Sequence, residues 1–299
     1  MIKKDIIINM TRRCNYNCSY CNVIKDNSVF SKQNIEDIVN FLKFNSQYIN
    51  TVKFFGGEPI LVFDDIKHII ENTKDEIGNK FVIVTNAKIL NDEIGEYFSK
   101  YFETIFFSID TENDFNYEKV INFINQFSLN HKLYFNIVIN PGEENNSLEQ
   151  FTILKEYGIN KYNILPVYYT KEWNKKNLLA LSENIKNILN FNLDYYGFQQ
   201  NEGYVSSLIN ESFFIDTDSK IYYSDIVSTY LGNPYKRHLF IGDIAESNLN
   251  DFINLDFGKY KKIIKVLENF VYNKSEGQKE LHEIMDYFSV YLNNNGNDF

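Results

Sequence analysis

Cysteine is almost missing from this chain: three residues in 299, Cys14, Cys18 and Cys21, with none after position 21. So few thiols in so short a stretch cannot build a disulfide framework, and in a reducing compartment the clustering points to metal ligation. Proline (4) and glycine (13) are scarce, which leaves little material for long disordered linkers. Basic residues are outnumbered, 30 against 40 acidic, for a net charge of −10. A general nucleic-acid binder needs a basic face to neutralise phosphates, and none is visible, so no nucleic-acid partner is expected. The acidity reads as a solvated surface in preference to a trap for basic ligands. Long apolar runs are absent as well. Met1-Ile2-Lys3-Lys4-Asp5 leads only into Ile6 to Ile8, too short for a signal peptide core or a membrane span, so a cytoplasmic protein with no membrane partner is expected.

Aromatic residues are plentiful, 26 Phe and 22 Tyr, and hydrophobic residues make up 44% of the chain, enough for a sizeable core. Over roughly the first 200 residues β-branched runs alternate with helical periodicities, the pattern of βα units on a parallel sheet. Six strands are expected: Asp5 to Asn9, Thr51 to Phe55, Lys80 to Thr85, Thr104 to Ile109, Leu133 to Asn140 and Tyr162 to Val167. Between them, Ile35, Ile38, Val39 and Leu42, and later Val120, Phe123, Ile124 and Phe127, fall at the spacing of buried helical stripes. The predicted fold is α/β, a partial (β/α)6 TIM-like barrel whose ligands bind at the carboxyl ends of the strands. After about Asn201 the pattern changes. Ser212 to Ile215 and Lys220 to Tyr223 flank Asp216-Thr217-Asp218-Ser219 as a hairpin, and two helices follow, one with Tyr260, Ile263, Ile264 and Leu267, the other with Leu281, Ile284, Met285, Phe288 and Leu292. Residues 1–200 are therefore expected to form the barrel, and 201–299 a small hairpin-plus-helices extension.

The segment Thr11-Arg12-Arg13-Cys14-Asn15-Tyr16-Asn17-Cys18-Ser19-Tyr20-Cys21 directly follows the first expected strand. Its spacing lets one loop offer three thiolates to three corners of an iron–sulfur cubane, leaving one iron free for a substrate or cofactor. A structural zinc site completed by a histidine is the competing reading, but His68, His131, His238 and His282 are scattered far from the loop in sequence. The loop resembles the CxxxCxΦC motif of the radical S-adenosylmethionine (SAM) superfamily, with Tyr20 as the aromatic Φ. That resemblance implies one [4Fe-4S] cluster on Cys14, Cys18 and Cys21, SAM chelated at its open iron, and Tyr20 against the adenine.

Gly56-Gly57-Glu58-Pro59 follows the second strand. Taken alone it reads as a strand-to-helix turn whose glycines let the backbone pass close to a ligand. Beside this cysteine loop it resembles the family's GGEP motif, which implies that Glu58 holds the amino group of SAM. Thr85-Asn86-Ala87 and Ser108-Ile109-Asp110, at the ends of strands three and four, resemble segments that implicate Asn86, Ser108 and Asp110 in binding the ribose and carboxylate. Ala87 and Thr111 stand where glycine is frequent in the family. Asn136 and Leu165, on strands five and six, resemble positions lining the ribose and adenine; a satisfied strand amide and a core leucine are the plain alternatives.

The resemblance also implies an activity: reductive cleavage of SAM to a 5′-deoxyadenosyl radical that abstracts hydrogen from a substrate, fed by a reductant such as flavodoxin or ferredoxin. Phe213 to Ser224, with Gly242-Asp243-Ile244 and Ser247-Asn248-Leu249 beyond, resembles the SPASM or twitch extension of peptide-modifying members. Ser224 stands at the position that the resemblance gives to an auxiliary-cluster cysteine, and with no cysteine after Cys21 thiolate-held auxiliary clusters are excluded and the extension reads as degenerate. The leading expectation is maturation of a ribosomally made peptide or a protein side chain, with a separate leader-recognition protein supplying a module this chain does not begin with. Action on a small metabolite, glycyl-radical activation and a non-catalytic iron–sulfur or zinc protein are the rivals. No catalytic acid, base or hydrogen donor stands out.

Overall fold

The computed structural model describes residues 3–78, 80–168, 171–189, 194–195, 213–230, 232–249, 251 and 258–295. Ser212, where the hairpin was expected to begin, lies outside them, as do the side chains of Phe288 and Leu292.

The strands, in chain order, are β1 (Lys4–Thr11), β2 (Ile49–Gly56), β3 (Phe81–Thr85), β4 (Phe102–Ile109), β5 (Leu133–Ile139), β6 (Lys161–Pro166), β7 (Asp194–Tyr195), β8 (Phe213–Ile215), β9 (Lys220–Tyr222) and β10 (Phe240–Asp243). Helices α1 (Lys32–Phe44), α2 (Phe63–Ile77), α3 (Asp92–Tyr101), α4 (Tyr117–Gln126), α5 (Glu144–Glu156) and α6 (Lys175–Leu189) follow the first six strands one for one. The six expected βα units are therefore present, and the fold is α/β. Local sequence explains the starts of three of these helices. Ser31 and Asn34 form a reciprocal capping box at α1, and the Asn91 and Asn116 side chains cap α3 and α4. The predicted stripes are buried except at Phe127, which is the C-cap of α4 and only half-buried.

The chain divides into two compact units, Met1–Asn17 with Asn22–Phe106 and Ser207–Leu267, and Cys18–Cys21 with Phe107–Ser206 and Glu268–Phe299. In the first unit β1, β2 and β3 pair in parallel, with Ile8 opposite Phe54 and Phe54 opposite Ile83. The apolar face of β2, Val52 and Phe54, is fully buried. The hairpin β8–β9 is antiparallel as expected, but it does not stand apart: β8 pairs in parallel with β1, Ile6 opposite Phe213, and β10 then pairs with β9. Three consecutive buried residues, Phe213, Phe214 and Ile215, are the sequence trace of a strand covered on both faces.

In the second unit β5, β6 and β7 pair in parallel, with Asn136 opposite Asn163. The helix Glu276–Asn295 begins against the segment after β6, so closely that a Cβ on Gly277 would sit 1.6 Å from the Trp173 carbonyl oxygen. Among the described residues no helix is long and apolar enough to cross a membrane.

Candidate functional site

Within the first unit, the start of the cysteine loop is fixed by a buried charge network. Arg12, at the end of β1, donates to Asp216 Oδ2 at 2.6 Å, as does Lys236, while Asn9 donates to Oδ1 at 2.8 Å. The Asp216 side chain is 0% exposed. Burial alone would raise its pKa, but Lys236, Arg12 and Asn9 outweigh that effect and hold the carboxyl below its ordinary value. Arg12 also pairs with Asp26, at 2.8 Å, on the far side of the loop. Farther along, Val23 bridges to Thr229, Ile24 N–H donates to the Ser228 carbonyl at 2.9 Å, and Tyr230 N–H to that of Asn22 at 3.1 Å. The extension thus grips the loop on both sides of its cysteines.

The two glycines of Gly56-Gly57-Glu58-Pro59 approach the chain itself. A Cβ on Gly56 (φ +145°) would lie 2.4 Å from the Thr11 carbonyl oxygen, and one on Gly57 2.2 Å from that of Arg13. The Gly57 and Glu58 N–H groups donate to those same two oxygens at 2.7 and 2.8 Å, so this turn is stitched to the base of the cysteine loop. Glu58 is 1% exposed. It accepts from Thr85 Oγ1 (2.6 Å), the Asn86 N–H (2.8 Å) and the Ile60 N–H (3.1 Å). Burial raises its pKa against these three donors. A carboxylate has about four acceptor sites, so roughly one is left for a ligand N–H. Asn86 Nδ2 donates to Asn15 of the loop at 2.7 Å, and Lys88 stands 4.3 Å over the Tyr16 ring. Ala87 adopts φ +55°, the left-handed backbone that explains why glycine suits this position.

Within the second unit, Cys18 to Cys21 form a tight turn, Cys21 N–H donating to the Cys18 carbonyl at 3.2 Å. Asn113 Nδ2 donates to Cys18 Sγ at 3.2 Å, and the Tyr20 hydroxyl to Asp110 Oδ2 at 2.5 Å. Asp110 also accepts from the N–H groups of Glu112 and Asn113, which makes its carboxylate a local hub. Burial raises the Cys18 pKa, with Asn113 and Tyr20 opposing it. Ser19 donates through both N–H and Oγ to Glu112, and Lys171 donates to Ser19 Oγ at 2.6 Å. Ser108, Asn136 and Asn163 form a polar ladder across β4, β5 and β6: Asn136 donates to Ser108 Oγ at 3.4 Å and Asn163 to Asn136 Oδ1 at 3.1 Å. Leu165 is 37% exposed, which removes the core-leucine alternative.

Sequence reasoning passed over Arg12, Lys236, Asn163, Glu112 and Asn113. Asn163 had a signal, as the one amide within the otherwise apolar run Tyr162 to Val167. Arg12 and Asp216 had none, being 204 positions apart. Ser224 is 1% exposed; its hydroxyl accepts the Ile226 N–H and caps the short turn Asp225–Ser228.

A parallel α/β fold with a three-cysteine loop after β1 and a glycine-rich turn after β2 defines a cofactor-dependent enzyme scaffold. The chain matches the Radical SAM superfamily over residues 8–181, more than half its length, and belongs to it. It is 30% identical over 131 residues to the radical SAM cyclopropyl synthase TigE of Paramaledivibacter caminithermalis, covering 37% of this chain and 28% of that protein. It is 31% identical over 122 residues to GTP 3',8-cyclase of Clostridium acetobutylicum, covering 39% and 37%. A structure of anSMEcpe with bound AdoMet and Cp18Cys peptide superposes with a TM-score of 0.66 at 15% identity, over 88% of this chain and 82% of that one. The chain spans less than two thirds of the length of these curated relatives. The fold is the family's partial-barrel type, the protein is an enzyme, and its cofactors are SAM and a [4Fe-4S] cluster.

The residues present fit those groups. Thiolates are the donors iron–sulfur clusters use, none of the three cysteines is in a disulfide, and a single cubane exhausts them. Among the described residues no three His, Cys, Asp or Glu side chains gather for a single metal ion. The spare acceptor site on buried Glu58 suits an ammonium.

Proposed function

We propose that this enzyme modifies a peptide or protein side chain by hydrogen abstraction. The observation that carries this reading is the hairpin β8–β9: it extends the sheet beyond β1, ends in Ser224, and holds the cysteine loop through Asp216. A SPASM-like module kept in place without its cysteines fits a substrate-side role that needs no second cluster. On this reading residues 1–200 are the barrel module by descent and 201–299 the degenerate extension. A solved relative binding a peptide supports it.

Cys14, Cys18 and Cys21 hold the cluster in this proposal. Bound together, cluster and SAM supply one-electron cleavage of SAM to a 5′-deoxyadenosyl radical. The chain's part is orientation and exclusion of water. Glu58 accepts the amino group of SAM, Gly56, Gly57 and Pro59 shape the turn that presents it, and Asn86 braces the loop through Asn15. Ser108 and Asn136 offer hydroxyl and amide to the ribose, Leu165 an apolar wall, and Asp110 fixes the orientation of Tyr20. A cytoplasmic flavodoxin or ferredoxin is the proposed electron source, with a leader-recognition protein where the peptide carries a leader.

The relationship to GTP 3',8-cyclase favours a second reading, action on a small metabolite. Anaerobic reconstitution is expected to give about four irons per chain, and dithionite with SAM to give 5′-deoxyadenosine. Incubation with candidate peptides then distinguishes the readings: a mass change on a peptide supports the first, and turnover of metabolites alone overturns it.

A further inference from the structure

In the second unit the turn between β4 and α4 is built before it meets the cysteine loop. The Asp110 carboxylate accepts the Glu112 N–H at 2.8 Å and the Asn113 N–H at 2.9 Å, as a short acidic side chain does when it closes a turn. The Asp110 carbonyl takes Gln150 Nε2 at 3.0 Å in a buried bond, so the turn is fixed from α5 as well. Its side-chain amide then does something that closing a turn does not require. Asn113 Nδ2 lies 2.9 Å from each carboxylate oxygen of Asp110 and 3.2 Å from Cys18 Sγ. An amide nitrogen carries two hydrogens, one for the carboxylate and one for the sulfur. Asp110 Oδ2 itself is 3.9 Å from Cys18 Sγ. A cysteine that holds metal is a thiolate, so the two groups on either side of the amide are then both anions and repel at that distance. The Asn113 amide is the group that answers both. Hydrogen bonds to the sulfurs help set the potential of an iron–sulfur cluster, because a donor draws electron density from the thiolate and favours the more negative, reduced state.

We propose that Asn113 tunes the reduction potential of the cluster: its Nδ2 donates to the Cys18 thiolate and screens that thiolate from Asp110, which makes the cluster easier to reduce. The role rests on the assignment of Cys18 as a cluster ligand. It gives the turn after β4 a part in the electron-transfer step, separate from the contact between Asp110 and Tyr20.

The test is a redox titration, followed by EPR, of the anaerobically reconstituted full chain without SAM, comparing wild type with Asn113→Leu and the isosteric Asn113→Asp. Leucine removes the donor, and aspartate replaces it with a second anion. The equilibrium constant for one-electron reduction is expected to fall about ten-fold in Asn113→Leu, which is about 59 mV, and further in Asn113→Asp. Iron analysis and circular dichroism establish that the forms compared are loaded and folded. A measurement on the wild type stands without either variant. With asparagine labelled by nitrogen-15 at the side-chain amide, pulsed EPR of the reduced cluster is expected to show a nitrogen-15 coupling, and whichever Asn113 variant carries a cluster is expected to lose it. A loaded wild type without the coupling, a loaded variant that keeps it, or an Asn113→Leu cluster reduced as readily as that of the wild type overturns the proposal. A wild type that takes up no iron overturns the assignment of Cys18, and the proposal with it; iron analysis reads that failure before any potential is measured.

Discussion

The cysteine loop is held in two different ways along its length. Thr11 to Asn17, in the first unit, hangs on a carboxylate with no solvent exposure that collects Arg12, Lys236 and Asn9. Cys18 to Cys21, in the second unit, rests on part-buried or exposed hydrogen bonds to Asp110, Glu112 and Asn113. The difference teaches where rigidity is placed. Hydrogen bonds open to water are cheap to break and re-form, whereas a buried ion network holds one geometry because its breakage strands charges in low dielectric.

The strongest way to break the comparison is to remove a thiolate, since it makes both kinds of support irrelevant to the cofactor. Cys18→Ala is expected to abolish SAM cleavage and lower reconstituted iron to background, read by iron analysis and 5′-deoxyadenosine assay. Next in size, Asp216→Ala leaves Arg12 and Lys236 without their shared carboxylate and is expected to destabilise the fold by about 3–5 kcal/mol in urea unfolding. The same network carries a pH signature. Asp216 titrates below its ordinary value of 3.8 when folded, so its stabilisation is complete above that pH and is lost as pH falls through the depressed value. Wild type should therefore lose stability more steeply than Asp216→Asn on acidification below about pH 4.

On the weakly held side, Glu112→Ala removes acceptors for Ser19 at an exposed position and is expected to cost no more than about 1 kcal/mol. A loss comparable to that of Asp216→Ala would erase the contrast between the two regions. The smallest effect is a gain. Ala87, at φ +55°, pays the left-handed penalty that glycine avoids, so Ala87→Gly should stabilise by about 0.5–1 kcal/mol, visible as a raised urea midpoint.

Much of the molecule was legible in the residues. The six strands fell where β-branched runs ended in turn residues, and Ile35, Ile38, Val39 and Leu42 lined the buried face of α1 as their spacing required. Gly56 and Gly57 were legible as a close approach, but the partner they approach, the backbone of Thr11 and Arg13, was not. The hairpin could be read from its turn, while its pairing with β1 could not, because a strand's register partner leaves no mark on local sequence.

By itself the sequence determined the cofactor chemistry of this protein, because thiolate spacing within one loop and the glycine turn after β2 are short-range patterns that survive without a fold. Only the tertiary structure decided how that loop is held and what faces it. Arg12 meets Asp216 across 204 positions only because β8 brings the extension alongside β1. Such long-range electrostatic pairings follow from strand order, and composition and periodicity are blind to them.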